Sequence, residues 1–103
     1  MKAYLGTISG NSYKLRIFLS LLKVPHEVVI IDLKNKQHKS AEFLKINPRG
    51  EVPAIEADGK VIWDSAACLV YIARKYGGEQ WLPTDAAGMA EVMQWMALAQ
   101  NEI

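Results

Sequence analysis

Three short stretches of this sequence carry residue types whose spacing suits the handling of anions and of an extended peptide. The first, Ser9-Gly10-Asn11-Ser12, consists of small residues, mostly polar, where a strand is expected to turn into a helix. Hydroxyl and amide groups there stand beside unpaired backbone N–H groups and the positive end of the helix dipole, an arrangement that stabilises an anion. Plain helix capping uses the same residues. The second stretch, Gly50-Glu51-Val52-Pro53-Ala54, places a proline at the start of a strand, where its missing N–H is tolerated or a cis bond turns the chain. A cis Val52–Pro53 bond would leave the N–H and C=O of Val52 facing outward, free to pair with an extended ligand the size of a tripeptide. An ordinary edge-strand proline is the alternative. The third, Asp64-Ser65, lies where a strand meets another helix. The hydroxyl and N–H of Ser65 suit a carboxylate and Asp64 suits an ammonium group, and capping again accounts for the same pair.

These residues need elements to hold them. Residues 2–8 predict a strand. From Tyr13 to Lys23 the apolar Leu15, Phe18, Leu19 and Leu22 recur at helical spacing, and Pro25 ends the helix. The β-branched run Val28-Val29-Ile30-Ile31 predicts a parallel strand buried on both faces. A polar loop from Lys34 to Lys39 leads to Ser40, which caps a short helix through Ile46 that Asn47-Pro48 stops. Glu51–Glu56 and Lys60–Trp63 predict antiparallel strands joined at Asp58-Gly59, a dipeptide that accepts the positive φ of a tight hairpin. The next helix opens at Asp64-Ser65 and presents Ala66, Leu69, Val70, Ile72, Ala73 and Tyr76 as an apolar face, with Gly77 as its stop. Gly77 to Asp85 reads as a linker, after which Met89, Val92, Met93 and Met96 repeat at helical spacing with no stop signal before Ile103. The order βαβ, then α, then ββα predicts an α/β, thioredoxin-like fold with a four-stranded mixed sheet.

Composition narrows the function classes. A chain of 103 residues has the size of one domain, with 50% hydrophobic and 22% charged residues. Twelve basic side chains nearly balance eleven acidic ones, so nucleic acid is not an expected partner, the Lys34–Lys39 cluster being the sole basic run. No stretch reaches the ~20 apolar residues of a membrane span. The start at Met1-Lys2-Ala3-Tyr4 lacks a secretory h-region, and a lone Cys68 forms no internal disulfide, which together predict a reducing cytoplasm. Cys68 falls near the apolar side of its helix and predicts a buried, unreactive thiol. His26 and His38 have no partners at ligand spacing, so no metal is expected. Trp63, Trp81 and Trp95 are dispersed and predict packing rather than a ligand platform.

The arrangement as a whole resembles the N-terminal domain of the glutathione transferase family. The resemblance rests on the Tyr4 to Lys14 stretch, on His38-Lys39-Ser40-Ala41-Glu42-Phe43-Leu44-Lys45-Ile46-Asn47-Pro48, on Val52-Pro53-Ala54 and on Trp63-Asp64-Ser65, in that order. It is dense to about residue 80 and looser beyond. It implies a glutathione-binding domain over 1–77, a linker over 78–85, and over 86–103 the first helix of a truncated all-α domain. It also implies that Val52 and Pro53 hold the cysteinyl part of glutathione, Asp64 and Ser65 the γ-glutamyl end, and His38 and Lys39 the glycine carboxylate. For the catalytic group the resemblance is to theta-like and related bacterial members, which implies that Ser9 or Asn11 approaches the sulfur. Asp64 departs from the usual Glu or Gln and has a shorter reach. Tyr4, inside the first strand, is expected to pack structurally with a solvent-facing hydroxyl.

The implied activity is that of a cytoplasmic detoxification enzyme, a homodimer. It would activate glutathione as a thiolate for conjugation to an electrophile or for glutathione-dependent reduction. Ser9 is expected to serve the thiolate more than the fold. A thioredoxin-type oxidoreductase would need cysteine where Ser9 and Ser12 stand. A non-catalytic interaction module is the reading from a different class. With its apolar last helix unpartnered, the 103-residue chain is expected to self-associate and to be weakly active or inactive alone.

Overall fold

A computed structural model describes residues 1–102, with side chains through Gln100. They divide into two compact units, Met1–Leu69 and the residues from Val70 onward. The first unit is built on a four-stranded sheet in the order β2-β1-β3-β4, with β1 Lys2–Gly6, β2 Glu27–Ile31, β3 Ala54–Ala57 and β4 Lys60–Trp63. β1 runs parallel to β2 and antiparallel to β3, and β3 pairs antiparallel with β4, so the sheet is mixed as expected. The hairpin turn has positive φ at both Asp58 and Gly59, the primed-turn geometry that follows strand twist.

Period-two alternation gives the sheet two apolar faces. Tyr4, Ala54 and Ile31 form one cluster with Phe43, and the Tyr4 and Phe43 rings meet edge-on at 5.9 Å. Phe43 comes from α2, Ala41–Ile46, whose cap is Ser40: its Oγ accepts the Phe43 N–H at 3.2 Å. Ala3, Leu5 and Ile55 are buried on the other face. Helix α1, Gly10–Leu21, lies against β1 and buries Leu15 and Leu19, one turn apart. Each such leucine contributes roughly 1.5–3 kcal/mol on full burial.

Three expectations about these elements are corrected. Pro25 does not end α1. Lys23 takes φ 54, its N–H bonds the Ser20 carbonyl and the Val24 N–H bonds the Leu19 carbonyl. A left-handed C-terminal cap therefore closes the helix before the proline is reached. β2 is not buried on both faces: it is an edge strand, and Ile30 is 47% exposed. A β-branched run reports strand propensity, not position in the sheet. β3 begins at Ala54 rather than Glu51, because the Glu51 carbonyl is bonded to the Asn47 side chain and Pro53 offers no ladder donor.

Helix α3, Ser65–Ile72, continues as a π-helical turn over Ala73–Gly77 and ends where the Gly78 N–H, at φ 72, reaches the Ala73 carbonyl. The stop is thus Gly78, not Gly77. Beyond Val70, Glu79 accepts from both the N–H and the hydroxyl of Thr84, and these bonds hold its carboxyl below the usual range. The last helix, α4, covers Ala86–Glu102. It exposes Met89, Met93, Trp95 and Leu98, so Trp95 does not take the packing role expected of it.

Candidate functional site

The sheet register carries the sequence-derived site residues to one end of the first unit. Tyr4 pairs with Ala54 and Ala54 with Trp63. The end of β1, the residues before β3 and the residues after β4 therefore leave the sheet on the same side. Val52 borders Gly6: a Cβ added at Gly6 would stand 2.8 Å from both Val52 Cγ2 and Leu33 Cδ1, so any larger residue there would force these side chains to shift.

At the end of β1, Ser9 is the N-cap of α1, with extended backbone and its Oγ accepting the Ser12 N–H at 3.1 Å. The Ser9 carbonyl accepts from Tyr13 at 3.0 Å, which starts the helical ladder. The N–H groups of Gly10 and Asn11 have no acceptor among the described residues, and the exposed Asn11 side chain makes no hydrogen bond among them. Two free donors, an amide and a hydroxyl hydrogen at a helix N-terminus are groups whose chemistry suits an anion. Ser9 thus has a structural role as the cap of α1. Ser12, read from sequence only as part of the turn, is buried, and its Oγ accepts the Gly6 N–H at 2.9 Å. That bond locks the strand end to the first helical turn. No sequence pattern separates this serine from an ordinary first-turn residue.

The Val52–Pro53 bond is cis, which decides between the two readings of this proline that the sequence left open. The N–H and C=O of the half-buried Val52 carry no hydrogen bond among the described residues, which leaves one backbone donor and one acceptor open. Before Val52, the loop 47–51 turns on Gly50 at φ 62, and a Cβ there would lie 3.0 Å from the His38 carbonyl and 2.9 Å from Leu44 Cδ2. This contact sets His38 and Lys39, which end a 3-10 turn over Gln37–Lys39, against the loop. His38 Nδ1 is buried without a partner among the described residues, while the Lys39 side chain is exposed.

After β4, Asp64 adopts φ 78 and its Oδ2 accepts the N–H groups of Ala66 and Ala67 at 3.1 and 3.3 Å. Its other carboxylate oxygen stays open. Ser65 is 5% exposed, and its hydroxyl makes no hydrogen bond among the described residues. Cys68, one turn on, is fully buried and directs its Sγ to the Ile62 carbonyl at 3.4 Å. Burial, then the Asp64 charge, push its thiol up to about 12. It is the unreactive cysteine expected.

Tyr4 differs from expectation. Its hydroxyl does not face solvent but donates to Glu56 Oε2 at 3.4 Å, and burial followed by the Glu56 charge holds it above the ordinary tyrosine range. Among the described residues no group of three or more His, Cys, Asp or Glu could hold a metal, and the His26 ring bonds the Val24 carbonyl at 2.7 Å. No described helix is long and apolar enough to cross a membrane.

Comparison with known proteins places this geometry. A profile described as the N-terminal domain of glutathione S-transferase matches residues 8–75. The chain is 32% identical over 98 residues to bovine glutathione S-transferase theta-1, covering 94% of this chain and 41% of the relative. It is 33% identical over 103 residues to maleylpyruvate isomerase of Ralstonia sp, covering 100% and 49%. The solved structure of human glutathione transferase theta-2 in complex with glutathione superposes with a TM-score of 0.86 at 32% identity, covering 96% of this chain and 42% of that one. The chain thus spans less than half the length of each of these relatives.

Proposed function

The chain belongs to the glutathione S-transferase family, and from that membership we propose that its first unit binds glutathione and lowers the pKa of the bound thiol. The observation that carries this reading is the unpaired Val52 backbone edge, set at the sheet end from which two helix N-termini start. In this reading the cysteinyl residue pairs with the N–H and C=O of Val52, beside Pro53. The γ-glutamyl carboxylate takes the open hydroxyl and N–H of Ser65, and the free oxygen of Asp64 attracts the ammonium group. The glycine carboxylate lies toward His38 and Lys39. The sulfur approaches Ser9 or Asn11, and the binding mode is strand addition with an anion anchored at each end.

The chemistry follows from charge. A free thiol has a pKa near 8.5, so lowering it by about two units takes roughly 2.7 kcal/mol. One hydrogen bond to the thiolate contributes about 1.5–3 kcal/mol and the helix terminus about 0.3–1 kcal/mol, which together reach that size. Because the Ser9 oxygen already accepts from Ser12, its hydrogen is left to donate to sulfur. The thiolate then adds to an electrophile or reduces a substrate. We place the glutathione domain at 1–77 and the start of a helical domain at 86–103, joined by 78–85. Turnover in a cytoplasmic homodimer would draw on further helices, and the 103-residue chain alone would turn over weakly or not at all.

Calorimetric titration with glutathione, combined with the ultraviolet absorbance of the thiolate, tests the reading. Saturable binding with a bound-thiol pKa below 8 is expected. No binding overturns the reading, and binding without a pKa shift identifies a non-catalytic glutathione module.

A further inference from the structure

Asn47 is 0% exposed, and its four hydrogen bonds tie the end of α2 to the segment that leads to Val52. Its N–H donates to the Phe43 carbonyl at 2.9 Å and its carbonyl accepts from Gly50 at 2.8 Å. Its Oδ1 accepts the Arg49 N–H at 3.1 Å and its Nδ2 donates to the Glu51 carbonyl at 3.0 Å. Besides these bonds, the loop is held by the close approach of Gly50 to the His38 carbonyl and Leu44, and by the Arg49 guanidinium 4.9 Å over the Trp63 ring. Pro48 has no N–H, and the Arg49–Glu51 ion pair at 3.0 Å joins two exposed side chains, a class of contact worth about 0–1 kcal/mol. A buried amide bonded at both ends outweighs it, since breaking one such bond strands a buried partner at about 1–3 kcal/mol.

Glu51 is the residue before Val52, and its carbonyl belongs to the peptide unit whose N–H is the Val52 donor. The Asn47 side chain therefore grips the far side of that peptide plane. We infer that Asn47 is a positioning residue for the ligand, and that it orients the Val52 N–H by fixing the Glu51–Val52 peptide. This rests on the proposed pairing of glutathione with Val52. Hydrogen bonds hold over a window of about 2.7–3.2 Å and weaken steeply with misalignment. A modest tilt of this peptide unit therefore unpairs the ligand without unfolding the sheet.

The test is a cycle between a variant and a modified ligand, read by calorimetry on the full 103-residue chain. S-methylglutathione binds without thiolate chemistry, and an analogue whose cysteinyl carbonyl is reduced to a methylene lacks the acceptor for the Val52 N–H. Asn47→Ala should raise the Kd of S-methylglutathione at least tenfold and that of the reduced analogue less than threefold. A merely structural role would weaken both by the same factor, and that result overturns the inference alone. If Asn47→Ala does not fold, Asn47→Ser, which keeps a hydroxyl, is put through the same cycle with the same two outcomes. Absence of S-methylglutathione binding to the unsubstituted chain would overturn the glutathione reading itself, so the two failures are distinguishable.

Discussion

Ser9→Ala removes two interactions at once, and the structure allows each to be sized. The Oγ of Ser9 accepts the Ser12 N–H at 3.1 Å as the cap of α1. Loss of such a cap costs about 1 kcal/mol, which lowers the melting temperature of a domain of this size by roughly 4–8 °C. The hydroxyl hydrogen is not used by the cap, and in the proposed complex it donates to sulfur. Removing a hydrogen bond of about 1.5–3 kcal/mol to an anion raises the bound-thiol pKa by about 1–2 units. Ser9→Gly separates the two, because glycine is a good N-cap costing only a few tenths of a kcal/mol, yet it lacks the hydroxyl just as alanine does. The assay is a pH titration of thiolate absorbance on the glutathione-saturated chain, beside thermal melts. Both variants should raise the thiol pKa equally, and only Ser9→Ala should lose several degrees. An unchanged thiol pKa in both would make Ser9 a cap and nothing more, and would move sulfur stabilisation to Asn11 or to the helix N–H groups.

Ser65→Ala should weaken glutathione binding about tenfold or more by removing a buried hydroxyl from the carboxylate, with unchanged affinity refuting the γ-glutamyl assignment. Tyr4→Phe deletes a long bond of 3.4 Å to Glu56; calorimetry should find glutathione affinity unaltered, with a stability cost under about 1 kcal/mol. Gly6→Ala drives a methyl to 2.8 Å from Val52 Cγ2, so denaturant melts should show a loss of about 1–3 kcal/mol together with weaker binding, whereas Gly10→Ala meets nothing within 4 Å and should lose neither. The Cys68 thiol has a folded pKa of about 12 against an ordinary 9.0. The folded value is the higher, so the contribution is complete below 9.0 and is lost as pH rises toward about 12. Denaturation between those limits should therefore be steeper in pH for the unsubstituted chain than for Cys68→Ala, and parallel slopes would refute it.

The sequence foretold the elements better than their surroundings. Leu15 and Leu19, Ser40 as a cap, Asp58-Gly59 as a turn and the βαβ-α-ββα order all follow from local chemistry, and all are found. What was misplaced depends on neighbours distant in the chain. Val28 to Ile31 cannot announce that no described strand lies beyond them in the sheet, and Tyr4 cannot announce that Glu56 waits on the adjacent strand. The site divides in the same way. Val52, Ser65 and Ser9 were legible because caps and prolines act on their immediate sequence. Asn47 read only as a helix stop, since its hold on Glu51 exists only once the loop has closed.

The pairing of β1 with β3 joins residues about fifty positions apart, Tyr4 with Ala54 among them. Ser9, Val52 and Ser65 therefore share no neighbourhood until that long-range closure is complete. On the proposed binding mode, a half-folded chain offers isolated caps and a frayed edge, and nothing to grip both ends of a tripeptide. Occupancy of the proposed site would be a readout of completed folding: a ligand present at about 100 times its Kd adds roughly 2.7 kcal/mol to the finished state and to no earlier one. In a library of variants, retention on immobilised ligand would thus select for an intact central sheet as much as for the residues that touch the ligand.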